Sequence, residues 1–275
     1  MKYILALLFL LLPFMLQAQT IKLQGKVLAK ASGQELPYIN IGIRNKNIGT
    51  ASDEKGNFIL VLPKERQQDT LTFSAIGYKE LSVPVRQLET QKQPLAITLE
   101  ERENTLQEVI VQNRKLKIKK LGITGRLPIV WGAPENRDSK DIYEFANFIQ
   151  VKGKSTELLS AHFYVASEKL DSALFRINLY KSSNGLPDER LVQKSILKRL
   201  PAKAGWVSID LQPFDIYTDE DFFLGIEYLP GSGVDRLAVL LGAKLGGSSY
   251  SREASLGTWK KFSGASLSGY VTVRQ

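Results

Sequence analysis

Residues able to carry out catalysis are scarce in this chain. Histidine occurs once, at His162, and cysteine is absent. A zinc peptidase needs two histidines together with carboxylates, and a serine triad would have to use the same His162. The sequence contains no nucleophile elbow, phosphate-binding loop or dinucleotide fingerprint. We therefore predict that His162 is structural, that the protein is not an enzyme, and that it holds no metal or cofactor.

Carboxylates leave one catalytic alternative open, because glycosidases use two of them across a cleft. Asp219, Glu220 and Asp221 lie together, and Glu227 follows them on a predicted strand. The segment 218–221 is more typical of an exposed turn. A glycan hydrolase stays as an alternative, and a cleft holding two converging carboxylates in the C-terminal half would distinguish it.

Binding through aromatic side chains is favoured over catalysis. Aromatic faces stack on sugars or peptides, and nearby polar groups fix the orientation of the ligand. The candidate ligand-binding residues are Trp131, Trp259, Tyr250 and Arg252. Trp206 precedes an alternating strand, and we expect it to pack in a hydrophobic core.

The first eighteen residues are typical of a secretory signal peptide. Lys2 supplies a positive charge, an apolar run follows, and a small-residue cleavage site ends at Ala18. The run is short for about 30 Å of hydrocarbon, so we expect cleavage and not a membrane anchor. No later segment is apolar for long enough to cross a bilayer as a helix. We expect an exported protein of the periplasm or the outer cell surface.

The formal charge of +9 is concentrated in the run RKLKIKK at 114–120. Such a run could meet nucleic acid or anionic lipid. No stacking aromatics are interleaved in it, and an exported protein rarely meets nucleic acid. We predict a solvated linker and no nucleic-acid partner.

Period-two alternation dominates the chain and predicts an all-β protein. Ile39, Ile41 and Ile43 alternate with less apolar residues, and 207–211 repeats the pattern. Such alternation buries one face of a strand and leaves the other face wet. The run 222–228 is almost continuously apolar, as in a central strand that is buried on both faces.

These patterns divide the chain into four segments. We predict a signal peptide at 1–18, a β-sandwich at 19–100, a charged linker with one strand-like segment at 101–122, and a second sandwich of jelly-roll type at 123–275. The spacing of apolar residues at 141–151 permits a strand or a short helix, and a strand is favoured.

Motifs in the N-terminal half resemble the carboxypeptidase regulatory-like (carboxypeptidase D-like) domain. GKV at 25–27 and GQELPYINI at 33–41 resemble its opening. GTASDEKGNF at 49–58 resembles the hairpin that follows, and DTLTFSAIGY at 69–78 resembles the next motif. The four motifs cover most of the first predicted domain in the order that the family has.

The resemblance implies a transthyretin-like sandwich of seven strands in an exported protein of Gram-negative bacteria. In its hairpin, Gly56 is expected to adopt a positive φ. Such domains commonly stand in front of outer-membrane import receptors, which continue into a segment like LQEVIV at 106–111. The residues that follow are too few for a plug and a barrel of about 22 strands, so we do not expect a receptor of that kind.

A short apolar segment suggests one mode of partner capture. The residues Leu106, Glu108, Val109, Ile110 and Val111 could add a strand to the sheet of a partner. The C-terminal half resembles the second domain of exported proteins that contain such regulatory-like domains, and more weakly resembles jelly-roll carbohydrate-binding modules. We therefore predict a non-catalytic envelope protein that binds or scaffolds an envelope protein or a glycan, with the first sandwich as a spacer or docking unit. A carbohydrate-binding accessory protein is an alternative.

Overall fold

The computed structural model describes residues 19–102, 116–135, 141–192, 194–229 and 238–275. Strands account for nearly all the regular structure, and they form two sandwiches, each with its own hydrophobic core. The predicted all-β fold class is confirmed. No helix in these ranges is both long enough and apolar enough to cross a membrane.

Seven strands form the N-terminal sandwich. They are β1 (Thr20–Ala29), β2 (Asn40–Ile43), β3 (Ile48–Ala51), β4 (Asn57–Pro63), β5 (Thr70–Ser74), β6 (Leu81–Pro84) and β7 (Leu95–Leu99). Strands β4, β1 and β7 form one sheet, and β3, β2, β5 and β6 form the other. One short helix, α1 (Val85–Glu89), and a 3₁₀ turn at Lys64–Arg66 complete the domain.

Alternation along these strands builds the first core. In β4 the side chains of Phe58, Leu60 and Leu62 are buried while Ile59 and Val61 face solvent. The hairpin before β4 turns at Gly56, whose φ of +75° confirms the positive value expected there. The carboxylate of the aspartate three residues earlier accepts two backbone N–H bonds and closes this turn.

In the described residues of the C-terminal sandwich there are thirteen strands. They are β8 (Ile118–Gly122), β9 (Trp131–Gly132), β10 (Tyr143–Ile149), β11 (Thr156–Ala166), β12 (Ser172–Ser183), β13 (Leu186–Arg190), β14 (Ile196–Pro201), β15 (Gly205–Asp210), β16 (Tyr217–Thr218), β17 (Phe222–Leu229), β18 (Leu240–Arg252), β19 (Lys260–Leu267) and β20 (Gly269–Arg274). A 3₁₀ turn lies at Gln212–Phe214.

Two layers of strands enclose the second core. One layer contains β12, β17 and β10, and the other contains β11, β20, β8 and β15. The long strand β18 pairs with β10 in the first layer and with β11 in the second. Inward side chains from both layers meet in the core, including Phe163, Phe175, Ile226 and Val271.

Four local features refine or correct the sequence analysis. The segment 141–151 contains strand β10, as favoured, and not a helix. Strand β8 lies inside the predicted linker at 101–122 but pairs with β20, so the second sandwich begins before residue 123. The alternation of Leu81, Val83 and Val85 is typical of a strand, but β6 ends at Pro84 and Val85 begins α1. Strand β2 is buried on both faces, because the second sandwich covers the face that alternation predicted to be wet.

Candidate functional site

Aromatic rings, of which two are well exposed, form a continuous row on the outer surface of the layer that contains β11, β15 and β20. Ring centroids lie 6.1 Å apart between Trp131 and Tyr164, and 5.8 Å apart between Tyr164 and Trp206. Trp206 continues to Tyr270 at 5.3 Å, and Tyr270 stacks on His162 at 4.4 Å. We call this surface the aromatic face and define it by these five rings together with Lys120 and Arg126.

Strand register places the rings side by side. Tyr164 is the Cα partner of Trp206 across β11 and β15, and His162 is the partner of Tyr270 across β11 and β20. Because side chains alternate along a strand, the intervening Phe163 points into the core and both neighbours point out. The row is therefore a direct consequence of the pairing of three strands.

A glycine makes room for the central ring. A Cβ atom at Gly242 would lie 2.8 Å from the Tyr164 ring, closer than real side chains approach. Tyr164 therefore lies over bare backbone of β18, and its ring packs against that strand where a larger residue would push it away.

Two cations border the rings. The guanidinium carbon of Arg126 lies 4.1 Å from the centroid of Tyr164 and 5.4 Å from that of Trp131. The Nζ atom of Lys120 lies 5.2 Å from the centroid of Tyr270. Among the described residues, neither cation forms a salt bridge, and one terminal nitrogen of Arg126 is buried without a hydrogen-bond partner. The face thus combines apolar ring surface with uncompensated donors.

His162 is held in place by its neighbours. Its Nε2 atom lies 2.8 Å from the Ser160 hydroxyl and 3.0 Å from the Thr272 hydroxyl. Burial lowers the pKa of His162, and the positive charge of Lys120 lowers it further. A neutral, doubly anchored ring fits the structural role predicted for this histidine. No group of three His, Cys, Asp or Glu side chains that could hold a metal occurs in the part of the chain that the structure describes.

The two tryptophans differ in how well the sequence predicted them. Trp131 was a candidate ligand-binding residue, and it lies on the aromatic face with 36% of its surface exposed. Trp206 was expected in a core, and that prediction is wrong, because the ring is 40% exposed. The inward positions of β15 belong to Val207 and Ile209, so the alternation of the same strand turns Trp206 outward.

The other three candidates lie together elsewhere. Tyr250 and Arg252 lie at the other end of β18 from Gly242, and both are buried. The Arg252 guanidinium lies 4.8 Å from the ring centroid of Trp259. That these three residues contact a ligand stays a prediction, but the structure separates them from Trp131.

Arg252 belongs to a buried polar cluster on the face of the β10, β12 and β17 layer that points away from the second core. We define this cluster by the following residues: Glu144, Arg176, Asn178, Tyr180, Glu227 and Arg252. Arg176 Nη1 lies 3.0 Å from Glu227 Oε2, and Arg252 Nη2 lies 2.5 Å from Glu144 Oε2. The Tyr180 hydroxyl donates to Glu144 Oε1 at 2.8 Å. Sequence reasoning missed this cluster, because its members are spread over four strands.

The cluster brings two carboxylates together. Asn178 Nδ2 donates to Glu144 Oε1 at 2.7 Å and to Glu227 Oε2 at 2.9 Å. Burial would raise the pKa of Glu227, but the guanidiniums of Arg176, Arg190 and Arg252 together with the hydrogen bond from Asn178 outweigh burial and hold that pKa below its usual range. Both carboxylates are fully buried. They converge as a hydrolase would require, but within an ion-paired interior and not across an open cleft.

The N-terminal sandwich covers this cluster. Arg176 Nη1 donates to Asn40 Oδ1 of β2 at 3.0 Å, and its Nη2 donates to the carbonyl of Tyr38. Further along the contact, the Thr258 N–H donates to Asn47 Oδ1 at 3.0 Å. A Cβ at Gly42 would lie 2.3 Å from the carbonyl oxygen of Ser255, so the two backbones touch there. The domains are joined by a close, largely polar contact.

The predicted partner strand lies outside the described residues. Leu106, Glu108, Val109, Ile110 and Val111 all fall within the segment 103–115. Their role in strand addition stays a prediction.

Comparisons with known proteins give one family match and several distant structural similarities. The cysteine protease and lectin-like domains of Cwp84, a surface layer associated protein of Clostridium difficile, are 12% identical with a TM-score of 0.40; the match covers 49% of this chain and 32% of that one. Clostridial Cwp84 after propeptide cleavage is 11% identical with a TM-score of 0.42, over 57% and 40% of the two chains. A structure of infectious bursal disease virus, Gx strain, is 8% identical with a TM-score of 0.22, over 93% and 71%.

This chain spans about a third to two fifths of the length of the Cwp84 chains. No curated protein matches it. The model of the CarboxypepD_reg-like domain matches residues 23–111, a range that contains β2 to β7 and most of β1. The chain therefore carries a CarboxypepD_reg-like domain, and it is this domain that covers the buried polar cluster.

Proposed function

We propose that this chain is a non-catalytic binding protein of the cell envelope whose aromatic face recognises a carbohydrate. The observation that carries the proposal is the row of rings from Trp131 to His162, two of them well exposed, beside two cations that form no salt bridge within the described residues. The CarboxypepD_reg-like domain acts as a docked spacer that presents this face.

The chemistry of the face suits a sugar. The C–H faces of a pyranose stack on indole and phenol rings, which offer a large apolar surface together with a polar N–H or O–H group. The Arg126 and Lys120 donors and the hydroxyls beside His162 supply the hydrogen bonds that orient a polar ligand. Because the strands are adjacent, several rings contact one extended chain at once.

The position of the face favours a ligand from outside the molecule. The aromatic face and the buried polar cluster lie on outward surfaces of the two layers that enclose one core. The CarboxypepD_reg-like domain covers the second surface and leaves the first open. Burial of Glu144 and Glu227 keeps the converging carboxylates away from such a ligand, which supports binding without hydrolysis.

Native affinity electrophoresis tests the proposal. The chain from residue 19 onward is run through gels containing neutral polysaccharides, acidic polysaccharides or none, and is separately mixed with insoluble peptidoglycan. We expect retardation or pelleting with at least one polymer, reduced in Trp206→Ala and retained in Phe262→Ala, an exposed aromatic outside the face. Mobility unchanged in every gel, with no pelleting, would refute it.

Export is part of the proposal. A signal peptide at 1–18 would deliver the protein to the periplasm or the outer surface. Cell fractionation of an expressing bacterium tests this expectation, and a mature N-terminus at Gln19 in the envelope fraction would support it. Full-length protein in the cytoplasm would contradict it.

A further inference from the structure

A cavity of about 170 Å³ opens at the seam between the two domains. Its apolar walls include Ile39 and Ile76 of the CarboxypepD_reg-like domain and Leu197 of the second sandwich. Its polar lining includes Arg176 and Arg190. Neither the catalytic alternative nor the aromatic face uses this space.

The arginine residues that line the cavity give it a positive charge. Arg176 is 4% exposed, both of its terminal nitrogens are hydrogen-bonded, and its Nε is buried without a partner. Arg190 is partly exposed and forms no salt bridge within the described ranges. Among the residues that the structure describes, no aspartate or glutamate lines the cavity. Arg176 is already paired with Glu227, so Arg190 is the guanidinium that faces this space without a salt-bridge partner among the described residues.

The charges of the residues around the cavity also favour an anion in it. Two buried carboxylates, Glu144 and Glu227, pair with Arg252 and Arg176, and the positive charge of a third guanidinium, that of Arg190, also acts on Glu227. Each carboxylate already has its own arginine partner, and Arg190 is the one left over. A positive charge at a partly apolar seam is most stable when an anion shares the site.

From this geometry we propose that the seam cavity binds a small organic carboxylate with an apolar body. A cavity of 150 Å³ lined by apolar side chains holds a benzene ring, so 170 Å³ suits a ligand of that size. A carboxylate matches the planar fork of a guanidinium, while Ile39, Ile76 and Leu197 enclose the hydrocarbon part. An amine of the same size is repelled.

Binding at this seam couples to the domain contact. Walls from both domains enclose the ligand, so the carboxylate binds only the docked arrangement and favours it over the separated one. Saturating ligand is therefore expected to raise the thermal midpoint of the protein and to slow cleavage at the seam by added protease.

Benzoate, with neutral benzamide and cationic benzylamine as matched probes, tests the site. Isothermal titration of the chain from residue 19 should show saturable binding of benzoate at millimolar concentration or below, and none of benzylamine. Benzamide should bind at least tenfold more weakly, because it lacks the charge. Equal binding of benzoate and benzamide, or no saturable benzoate binding, would overturn the proposal.

Three variants locate the site. Arg190→Gln should weaken benzoate at least tenfold, and Ile76→Trp should fill the cavity and abolish binding. Arg86→Gln, which removes an exposed guanidinium on α1 away from the cavity, should bind benzoate like the wild type. Circular dichroism confirms that each variant is folded. Wild-type affinity in both folded cavity variants would refute this location.

Discussion

Replacing Arg176 by methionine tests the account of the domain contact. The substitution keeps most of the volume but leaves Glu227 fully buried and without its ion pair. Breaking such a pair costs about 3–5 kcal/mol. Asn178 still donates to Glu227, which places the expected loss near the lower end, at about 3 kcal/mol.

The loss should also separate the domains. Arg176 supplies two bonds to the CarboxypepD_reg-like domain, through Asn40 and Tyr38, and methionine supplies neither. All three tryptophans lie in the second sandwich, so their fluorescence follows that domain while far-ultraviolet circular dichroism follows both. In urea the two signals should change together in the wild type and separately in Arg176→Met.

Two comparisons make this prediction refutable. Lys203→Met removes a salt bridge to Asp171 in which both side chains are at least 80% exposed, and it should cost less than about 1 kcal/mol. Adding Glu227→Gln to Arg176→Met should recover at least half of the loss, because no buried carboxylate is then left without its arginine partner. An Arg176→Met cost no larger than that of Lys203→Met would refute the reasoning.

Three further predictions follow from the same geometry. The lowered pKa of Glu227 stabilises the folded protein at pH values above its unfolded pKa of about 4.3, and this stability is lost as the pH falls through the folded pKa. In urea unfolding measured against pH, the free energy of unfolding should therefore fall less at acid pH in Glu227→Gln than in the wild type, and parallel curves would contradict this. Gly242→Val should displace the Tyr164 ring, lower the free energy of unfolding in urea by about 1–3 kcal/mol and weaken the retardation by polysaccharide. Gly125→Ala is the control, because a Cβ there meets no atom within 4 Å, and it should change neither the stability nor the retardation. Equal stability and retardation of the two variants would count against the role of Gly242. Deleting 106–111 should abolish capture of a protein partner in pull-downs while circular dichroism shows both domains folded, and unchanged capture would exclude strand addition.

Local patterns predicted the strands well, because alternation depends only on neighbours along the chain. The hairpin at Gly56 and the buried strand β17 are both visible in a few consecutive residues. Strand β2 shows the limit of this reasoning. Its alternation predicted a wet face, yet Asn40 and Gly42 are covered by a domain that begins about eighty residues later.

The candidate site was predicted only in part. The side-chain chemistry of Trp131 and Arg252 predicted that they could contact a ligand, but a sequence does not show how far apart two strands lie in the fold. The aromatic face arises because β11, β15 and β20 pair in one register, which depends on contacts between residues up to about a hundred positions apart. For Trp206 the signal was present, since Val207 and Ile209 had already taken the inward positions.

Calorimetric titration of Trp206→Ala with the preferred saccharide tests the central claim most directly. A soluble oligosaccharide of the polymer that retards the wild type is titrated into the wild type, Trp206→Ala and Phe262→Ala. Loss of one stacking ring should weaken binding about tenfold, equivalent to about 1.4 kcal/mol, while Phe262→Ala should bind like the wild type. Equal affinity of Trp206→Ala and the wild type would contradict recognition by the aromatic face.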